Sequence, residues 1–352
     1  MLVFLLILVA IMCAGMKAAK KNEFFEDYCS PKNTNTINAV FSILIFLSHA
    51  VTYTKCDGVL DGPYFDFRQF AGQLVVITYL FFSGYGIMES IKKKGTDYVK
   101  KMPFHRFFKL WYHFAIVLGM FAIVSIGIRG LSYTPDHILL SFTGLKSLGN
   151  SNWYMFATFL MYILVIVSFL VFRKYKVLGV SAVVILTGAY IIIARKLEMQ
   201  TTFYNTVICF PAGMVFSMVK PYIDRIIMRN DIIWFTAFSL GVLAFGYFSQ
   251  NRNQRFLYYE LFVLFSMAVI VMFMMKINIK SSILDWFGQH IFSFFILQRI
   301  PMLLLRHFGF AKEPYFFIII SFFATIFMSV IFDAFTDKLD SFIFKPRKKV
   351  KA

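Results

Sequence analysis

Long apolar stretches recur along almost the whole chain and alternate with short polar or basic intervals. A helix that crosses a hydrocarbon core of roughly 30 Å needs about 20 residues, and the stretches suit this length. We predict ten membrane-spanning helices from them, over residues 37–53, 70–90, 107–128, 153–172, 177–194, 203–219, 232–249, 256–275, 286–305 and 315–335. The pattern is typical of an all-α protein, a polytopic bundle of transmembrane helices with ten core spans.

An eleventh apolar stretch, residues 2–16, precedes the ten spans. It lacks a basic start and is short for a span, so an extra helix, an atypical signal sequence and an artefact upstream of a true start at Met16 all stay open. We divide the chain into an N-terminal apolar segment with a cytoplasmic lead (1–35), a transmembrane domain (36–336) and a basic cytoplasmic tail (337–352).

The positions of Lys and Arg predict how the bundle is oriented, because cytoplasmic loops near a membrane retain positive charge. The densest basic interval follows the second span and holds Lys92, Lys93, Lys94, Lys100, Lys101, Arg106 and Lys109. Alternate connections after it are also rich in cations. We therefore predict that both ends of the ten-span core lie in the cytoplasm.

Composition excludes a soluble globular protein, because 59% of the 352 residues are hydrophobic and only 15% are charged. The formal net charge of +18 fits cations that face the anionic lipid headgroups of a membrane. No connection is long enough to fold as a nucleic-acid-binding module, so membrane lipid is an expected partner and nucleic acid is not. The two longer outward connections, residues 54–69 and 129–152, contain several Gly and Pro and predict irregular loops over an outward-facing entrance.

The remaining polar residues give few further signals. The four cysteines show neither CxxC nor another ligand spacing, so the sequence predicts no metal site and no disulfide framework. Glu89 and Asp333 lie near the predicted cytoplasmic ends of their spans, and we expect them to pair with loop lysines rather than to catalyse.

His49 is the most unusual residue of the predicted spans, because it lies near the far end of the first apolar stretch. If that helix leaves the cytoplasm at Ile37, His49 lies roughly 18 Å in, past the middle of the bilayer. Titratable groups at such a depth usually mark chemistry or transport. A neutral imidazole can take a proton from a hydroxyl that attacks an acyl carbonyl, so His49 is a candidate general base. A polar contact between helices is the alternative.

Four stretches carry a resemblance to a known family: NAVFSILIFLSH (38–49), LFFSGYG (80–86), FHRFFKLW (104–111) and FGQHIFSFFILQR (287–299). In this order and spacing the chain resembles the membrane-bound acyltransferase-3 family, whose members acylate sugars and other hydroxyl acceptors, often on bacterial surface polysaccharides. The resemblance covers residues from about 36 to 335. It implies an enzyme of the bacterial cell membrane that uses an acyl-CoA such as acetyl-CoA as co-substrate, with no bound cofactor.

Carried over position by position, the resemblance makes His49 the essential histidine of the first helix and makes Arg106 and Lys109 its basic pair. Asn38 departs from the family, which commonly has an arginine eleven residues before the histidine to hold the donor's phosphates. Gln298 departs too, because many relatives have a histidine there. We assign Asn38 to the donor site and Gln298 to the acceptor or oxyanion site.

Arg106 and Lys109 are three residues apart and should be neighbours on one helical face. Cations so placed can bind phosphate, Arg through two hydrogen bonds and Lys as a point charge. The same residues are also what the positive-inside rule places in a cytoplasmic loop, so the sequence alone leaves both interpretations open.

Two further charged residues are candidates for the acceptor or oxyanion site. Arg299 lies within the ninth apolar stretch, close to Pro301, and could polarise the acyl carbonyl or extend to the outer interface. Glu260 lies early in the eighth span beside Tyr258 and Tyr259, where an acceptor sugar would arrive, although such tyrosines also form interfacial belts.

These observations favour a membrane O-acyltransferase that moves an acyl group, most simply acetyl, from a cytoplasmic acyl-CoA to a hydroxyl of a surface polysaccharide or another glycan. The alternative is a transporter or exporter of a lipid-linked glycan. Transporters tend to consist of paired, similar halves, and the sequence shows no such correspondence. Cleavage of a thioester by the purified protein distinguishes the two classes.

Overall fold

The computed structural model describes residues 1–344, which fold almost entirely into helices. The α-helices are α1 (Leu2–Gly15), α2 (Pro31–Ala50), α3 (Gly62–Ala71), α4 (Ile77–Lys94), α5 (Thr96–Met102), α6 (Lys109–Ala122), α7 (Pro135–Ser141), α8 (Trp153–Phe172), α9 (Lys176–Lys196), α10 (Cys209–Ile227), α11 (Asp231–Asn251), α12 (Phe256–Lys276), α13 (Ser282–Gln289), α14 (Ile291–Leu297), α15 (Arg299–His307) and α16 (Pro314–Ile343). Two short strands are present, β1 (Met16–Ala18) and β2 (Ile277–Ile279). The 3₁₀ segments are Gly72–Val76, Thr201–Phe203 and Phe310–Lys312, and the π-helical segments are Pro103–Phe108 and Ile123–Ile128.

Seven helical stretches of the described chain are long and apolar enough to cross a membrane: Gly62–Lys94, Thr96–Ile128, Trp153–Phe172, Lys176–Lys196, Asp231–Asn251, Phe256–Lys276 and Pro314–Ile343. This set confirms the predicted class, a polytopic bundle of helices. The other three of the ten predicted spans correspond to α2, to α10 and to the series α13–α15, which are more polar or interrupted.

Helix α2 carries His49 and begins well before the apolar stretch that predicts it. Ser30 caps its first turn, with Oγ accepting a hydrogen bond from the backbone N–H of Asn33 at 3.4 Å. Pro31 follows in the first turn, where its missing N–H costs nothing. Helices α13 and α14 pack against α2, and Phe46 and Ala50 are fully buried. In the polar start of α2, Thr34 and Thr36 are buried while Lys32 and Asn35 are exposed, so only part of this start packs inside the protein.

The predicted single helix over residues 286–305 is wrong, because the chain forms three short helices there, α13, α14 and α15. His290 separates the first two and Gln298 the second two. Pro301 has no N–H, and its ring conflicts with the carbonyl of Leu297, so a regular helix cannot run through this point. The break makes Arg299 the first residue of α15.

Helices α4 and α10 form the closest contact between two long helices of the bundle. Gly84 of α4 lies against the backbone carbonyl of Phe210, and Gly213 of α10 lies against the backbone carbonyl of Phe81. Small residues let membrane helices approach in this way. Helix α10 begins and ends later than predicted, at Cys209 and Ile227 rather than at residues 203 and 219.

The two longer connections that are predicted to face outward are only partly irregular, because each contains a helix. Helix α3 lies in the first and α7 in the second, and both have a proline, Pro63 and Pro135, in the first turn. Proline favours that position because the first N–H groups of a helix have no partner within it. Pro63 and Pro135, which in the sequence indicate irregular loops, therefore lie in the first turns of helices.

The N-terminal segment joins the bundle through a helix and a strand. Helix α1 buries Leu8, and β1 pairs with β2 in an antiparallel register that aligns Met16 with Ile279. At the other end of the chain, α16 continues to Ile343, so the first part of the predicted tail is helical. The rest of that tail, residues 345–352, lies outside the described residues.

Connections that are predicted to face the cytoplasm meet at one end of the bundle, here called the basic end. Lys92 Nζ lies 2.9 Å from the carbonyl oxygen of Ser217, and Lys276 Nζ lies 2.6 Å from Asp231 Oδ1. Helix α2 starts at Pro31, and His49 lies in its last turn, at the other end of the helix.

Candidate functional site

His49 lies in the last turn of α2 and contacts a serine from a distant loop. Its Nε2 is 3.3 Å from Oγ of Ser151, which precedes α8. A hydroxyl and an imidazole at this separation can share a proton, and such contacts are often loose before substrate binds.

The loop that supplies Ser151 is folded into the protein. Asn150 is 1% exposed, and its Oδ1 accepts a hydrogen bond from the backbone N–H of Leu148 at 3.0 Å. The Oγ of Ser125 donates to the carbonyl oxygen of Leu148 at 2.6 Å, which ties the loop to the helical segment after α6. The Nδ2 of Asn150 has no hydrogen-bond partner although it is buried. A buried donor without a partner is costly, so this amide is a site feature that needs an explanation.

Arg299 completes the surroundings of His49. Its Nε donates to the hydroxyl of Tyr53 at 2.7 Å, and its Nη1 donates to the carbonyl oxygen of Asn150 at 3.3 Å. Thus the residue before Ser151 is held by the guanidinium. We call His49, Tyr53, Asn150, Ser151 and Arg299 the His49 cluster.

Positive charge surrounds this cluster. Arg68 donates from Nε to Ser48 Oγ at 3.0 Å, one residue from His49, and Arg306 lies over the ring of Tyr53 at 6.0 Å. Neither of them, nor Arg299, forms an ion pair with a carboxylate within residues 1–344. Unpaired guanidinium groups and a buried amide donor suit an oxygen that becomes negative during acyl transfer.

Gln298 and Glu260 form no hydrogen bond to His49 in the described structure. Gln298 is fully buried, and its Nε2 donates to the carbonyl oxygen of Phe295 at 2.8 Å, while Oε1 has no partner. Glu260 lies in the second turn of α12, is 6% exposed, and neither carboxylate oxygen has a hydrogen-bond partner. Their assignment to an acceptor or oxyanion site stays a prediction.

A cavity of about 660 Å³ opens around the start of α2, at the other end from His49. Its walls include Asn38 and Arg106, so two of the predicted donor-binding residues lie in one cavity. Lys93 also lines it, as do Tyr79 and Tyr85. We call this space the inner cavity. The Tyr79 hydroxyl donates to the carbonyl oxygen of Asn38 at 2.9 Å, at the deep end of the cavity along α2.

The charges on the walls of the inner cavity are partly paired. Glu89 accepts a hydrogen bond from Lys92 at 2.5 Å, and Lys220 lies 2.5 Å from Asp224. Lys93 and Arg106 form no ion pair within residues 1–344. Arg106 also lines a second cavity of about 430 Å³, together with Lys94, Asp97, Tyr98, Lys101, Met102 and His105.

Lys109 does not share a face with Arg106. Its Nζ lies 2.5 Å from Asp340 Oδ2, and Asp340 also contacts Tyr112 and His113. The cause is the π-helical segment Pro103–Phe108, in which a turn holds more residues than an α-helical turn, so a spacing of three no longer aligns two side chains. The expected basic pair is therefore split, and only Arg106 lines the inner cavity.

Of the two carboxylates expected to pair with loop lysines, one does so and the other does not. Glu89 pairs with Lys92. Asp333 instead lies 2.5 Å from Nδ1 of His290 and accepts a hydrogen bond from Ser293 at 2.8 Å. The reason is the break in the chain at His290, which turns that imidazole toward α16.

Four residues around His49 have no signal in the sequence: Tyr53, Arg68, Asn150 and Ser151. Each reaches the site through a contact between distant parts of the chain. The run of polar residues from Asn150 to Asn152 just before an apolar helix was the one available cue, and a loop explains it equally well.

The arrangement is an imidazole with a neighbouring hydroxyl, unpaired cations, and a separate cavity at the far end of the same helix. A family model described as an acyltransferase domain matches residues 35–333, which include the whole His49 cluster and, of the inner cavity, Asn38 and Arg106. The chain belongs to the membrane-bound acyltransferase-3 family.

Membership gives this acyltransferase-3 protein the general role of an O-acyltransferase in a membrane, in place of the transporter alternative. No curated protein and no solved structure matches the chain.

Proposed function

We propose that this protein transfers an acyl group, most simply acetyl, from a cytoplasmic acyl-CoA to a hydroxyl of a surface polysaccharide or another glycan. The proposal places the protein in the bacterial cell membrane, with the basic end toward the cytoplasm. One observation carries it: α2 starts at the inner cavity and ends at His49, so a single helix links a space with free cations to an imidazole.

The inner cavity suits the charged part of the donor. Arg106 and Lys93 are free to bind phosphate oxygens, since neither has a carboxylate partner in the described chain. Because Arg106 also lines the second cavity, a nucleotide that extends from one cavity to the other would pass this guanidinium. In this chain Arg106 would supply the positively charged phosphate contact, because the amide of Asn38 is neutral and can only donate a hydrogen bond.

The distance along α2 matches the reach of such a donor. Asn38 and His49 are eleven residues apart, which is about 16 Å along a helix. The flexible arm of coenzyme A has about as many chain atoms as four or five extended residues, and so spans about 15 Å. A donor held at Asn38 could therefore present its thioester at His49. Buried residues such as Ser42 lie between the two, so side chains there must move when the arm enters.

The chemistry needs one proton carrier and a site for negative charge. Whichever hydroxyl attacks the thioester carbon, one of the glycan or one of the protein, His49 takes its proton. Arg299 and the free amide of Asn150 stabilise the carbonyl oxygen as it becomes negative. The carbon–sulfur bond then breaks, and the imidazolium returns the proton to the leaving sulfur, so that an ester and a free thiol result.

The test is transfer by purified protein in lipid vesicles, with acetyl-CoA as donor and the surface glycan of the expressing strain as acceptor. Release of CoA and acetyl groups on the glycan, followed by NMR, should both require His49. We expect His49→Ala to lower transfer by about 100-fold or more, with the protein still present in the membrane.

The matched control is His307→Ala, because His307 is exposed and lies outside the His49 cluster. It should transfer at nearly the wild-type rate. Full activity of the His49 variant would remove the proposed base, and a wild-type protein that releases no CoA would remove the proposed donor.

A further inference from the structure

The contact between Ser151 and His49 has the arrangement of a nucleophile beside its base. In the imidazole tautomer with hydrogen on Nδ1, Nε2 accepts the Ser151 hydroxyl hydrogen across the 3.3 Å separation. A serine hydroxyl is a weak nucleophile unless a neighbouring base takes its proton. His49 is in place to do this for Ser151 as well as for an incoming acceptor.

The surroundings of Ser151 supply what an attacked carbonyl would need. Asn150 precedes it, and the Nδ2 of this residue is a buried donor without a partner. The bond that Oδ1 of Asn150 accepts from the N–H of Leu148 fixes which end of the amide is the free donor. Arg299 donates a hydrogen bond to the carbonyl oxygen of Asn150. Two groups with hydrogen-bond donors therefore lie at the residue next to Ser151, where they can serve an acyl oxygen if Ser151 is acylated.

Ser151 also lies just before the first turn of α8, a helix of 20 residues. The free N–H groups at the start of a helix carry partial positive charge and stabilise nearby negative charge. This adds to the effect of the buried Asn150 amide and of Arg299.

We infer that Ser151 is a catalytic nucleophile, which carries the acyl group as an ester between donor and acceptor. In the first step His49 takes the Ser151 proton, Oγ bonds to the thioester carbon, the carbon–sulfur bond breaks, and His49 protonates the sulfur. In the second step His49 takes the acceptor's proton, the acceptor oxygen bonds to the acyl carbon, and Oγ leaves with the proton from His49. The two steps sum to the proposed transfer, on which this inference rests, and need no further reactant.

An acyl-serine would let the two substrates use the site at different times. CoA can leave toward the basic end before the glycan arrives, so the His49 cluster never has to hold both at once. Direct transfer would require the acyl-CoA and the glycan to be bound at the same time, in the tightly packed region that includes Ser42 and Ser151.

Isotope exchange tests the covalent step in the wild-type protein. Purified protein in lipid vesicles is mixed with acetyl-CoA and radiolabelled free CoA, without any glycan. Reversible formation of acyl-Ser151 moves label into acetyl-CoA, whereas direct transfer cannot do so without an acceptor. Exchange is therefore expected, and its absence from a preparation that transfers acetyl to glycan overturns the inference.

Variants identify the residue that is acylated. The protein is treated with acetyl-CoA that carries the radiolabel in its acetyl group, and is then denatured. The label should remain on the peptide that contains Ser151, which mass spectrometry identifies. Ser151→Ala should lose the label and the exchange, and should lower transfer to glycan by at least about 100-fold. His49→Ala should lose the label as well.

The matched control is Ser168→Ala. Ser168 is a buried serine within α8 whose hydroxyl has no hydrogen-bond partner, and it lies about 25 Å beyond Ser151 along the direction of that helix. It should keep both label and exchange. If Ser151→Ala transfers acetyl within about tenfold of the wild type, or if label lies on another residue, Ser151 is not the carrier, while loss of transfer in His49→Ala would still support the proposed function.

Discussion

Gly213 of α10 lies directly against the backbone carbonyl of Phe81 in α4, with no room for a side chain between the two helices. The relation is reciprocal, because Gly84 of α4 meets the carbonyl of Phe210. The contact joins two helices of the inner cavity's wall, because residues of α4 and Lys220 of α10 both line that cavity.

The first prediction concerns this contact. Gly213→Ala should destabilise the folded protein by about 1–3 kcal/mol, because a methyl group would have to displace backbone rather than a flexible side chain. Thermal unfolding of the purified protein measures the effect. Gly188→Ala is the control, since a methyl group at this glycine of α9 meets open space. Equal unfolding temperatures for both variants would show that the α4–α10 contact can relax.

The second prediction separates Arg106 from Lys109. Arg106→Ala should raise the KM for acetyl-CoA by about tenfold with a smaller effect on kcat, because it removes a charged contact with donor phosphate. Lys109→Ala should leave that KM close to the wild-type value, because Lys109 binds Asp340 and lies outside the inner cavity. Initial rates at varied acetyl-CoA measure both. A similar rise in KM for the two variants would show that Arg106 and Lys109 act together on the donor, as the sequence suggests.

The third prediction concerns Cys29, which precedes α2 and lines the inner cavity. Burial raises the pKa of this thiol above its ordinary value, and Asp224 and Glu89 raise it further against the opposing effect of Lys220. The thiolate is the reactive form, so alkylation of Cys29 by a maleimide should be very slow at pH 7 and should accelerate as the pH rises. Mass spectrometry of labelled peptides measures the rate, with detergent-denatured protein as control. Rapid labelling of the folded protein at pH 7 would contradict the burial of Cys29.

The sequence predicts the class of fold and the position of His49 because both depend on local composition. Apolar stretches longer than a soluble protein can bury reveal the bundle, and a histidine within such a stretch is conspicuous. The break at Gln298 was less accessible, because Pro301 alone shows that a helix is disturbed but not where the next one starts. The split of Arg106 from Lys109 was inaccessible, because it depends on a π-helical segment with no distinctive residue pattern.

Most of the His49 cluster lay beyond sequence analysis for a different reason. Ser151 reaches His49 across 102 positions of the chain, and Arg299 reaches Tyr53 across 246. Polar residues in a connecting loop usually face water, so nothing local distinguishes Asn150 and Ser151 from ordinary loop residues. What makes them distinctive is burial, which arises from the packing of distant parts of the chain, including α14 and α15 against α2.

The short pairing of β1 with β2 bears on the order in which the protein matures during synthesis. Met16 has left the ribosome long before Ile279 is made, so the N-terminal segment cannot close on its partner until most of the chain has emerged. The segment that leads into α2, and with it the entrance to the inner cavity, therefore gains its final anchoring only late in assembly. Nascent chains that stop before residue 277 would lack this anchor, and the start of α2 would remain open to proteases until β2 has emerged.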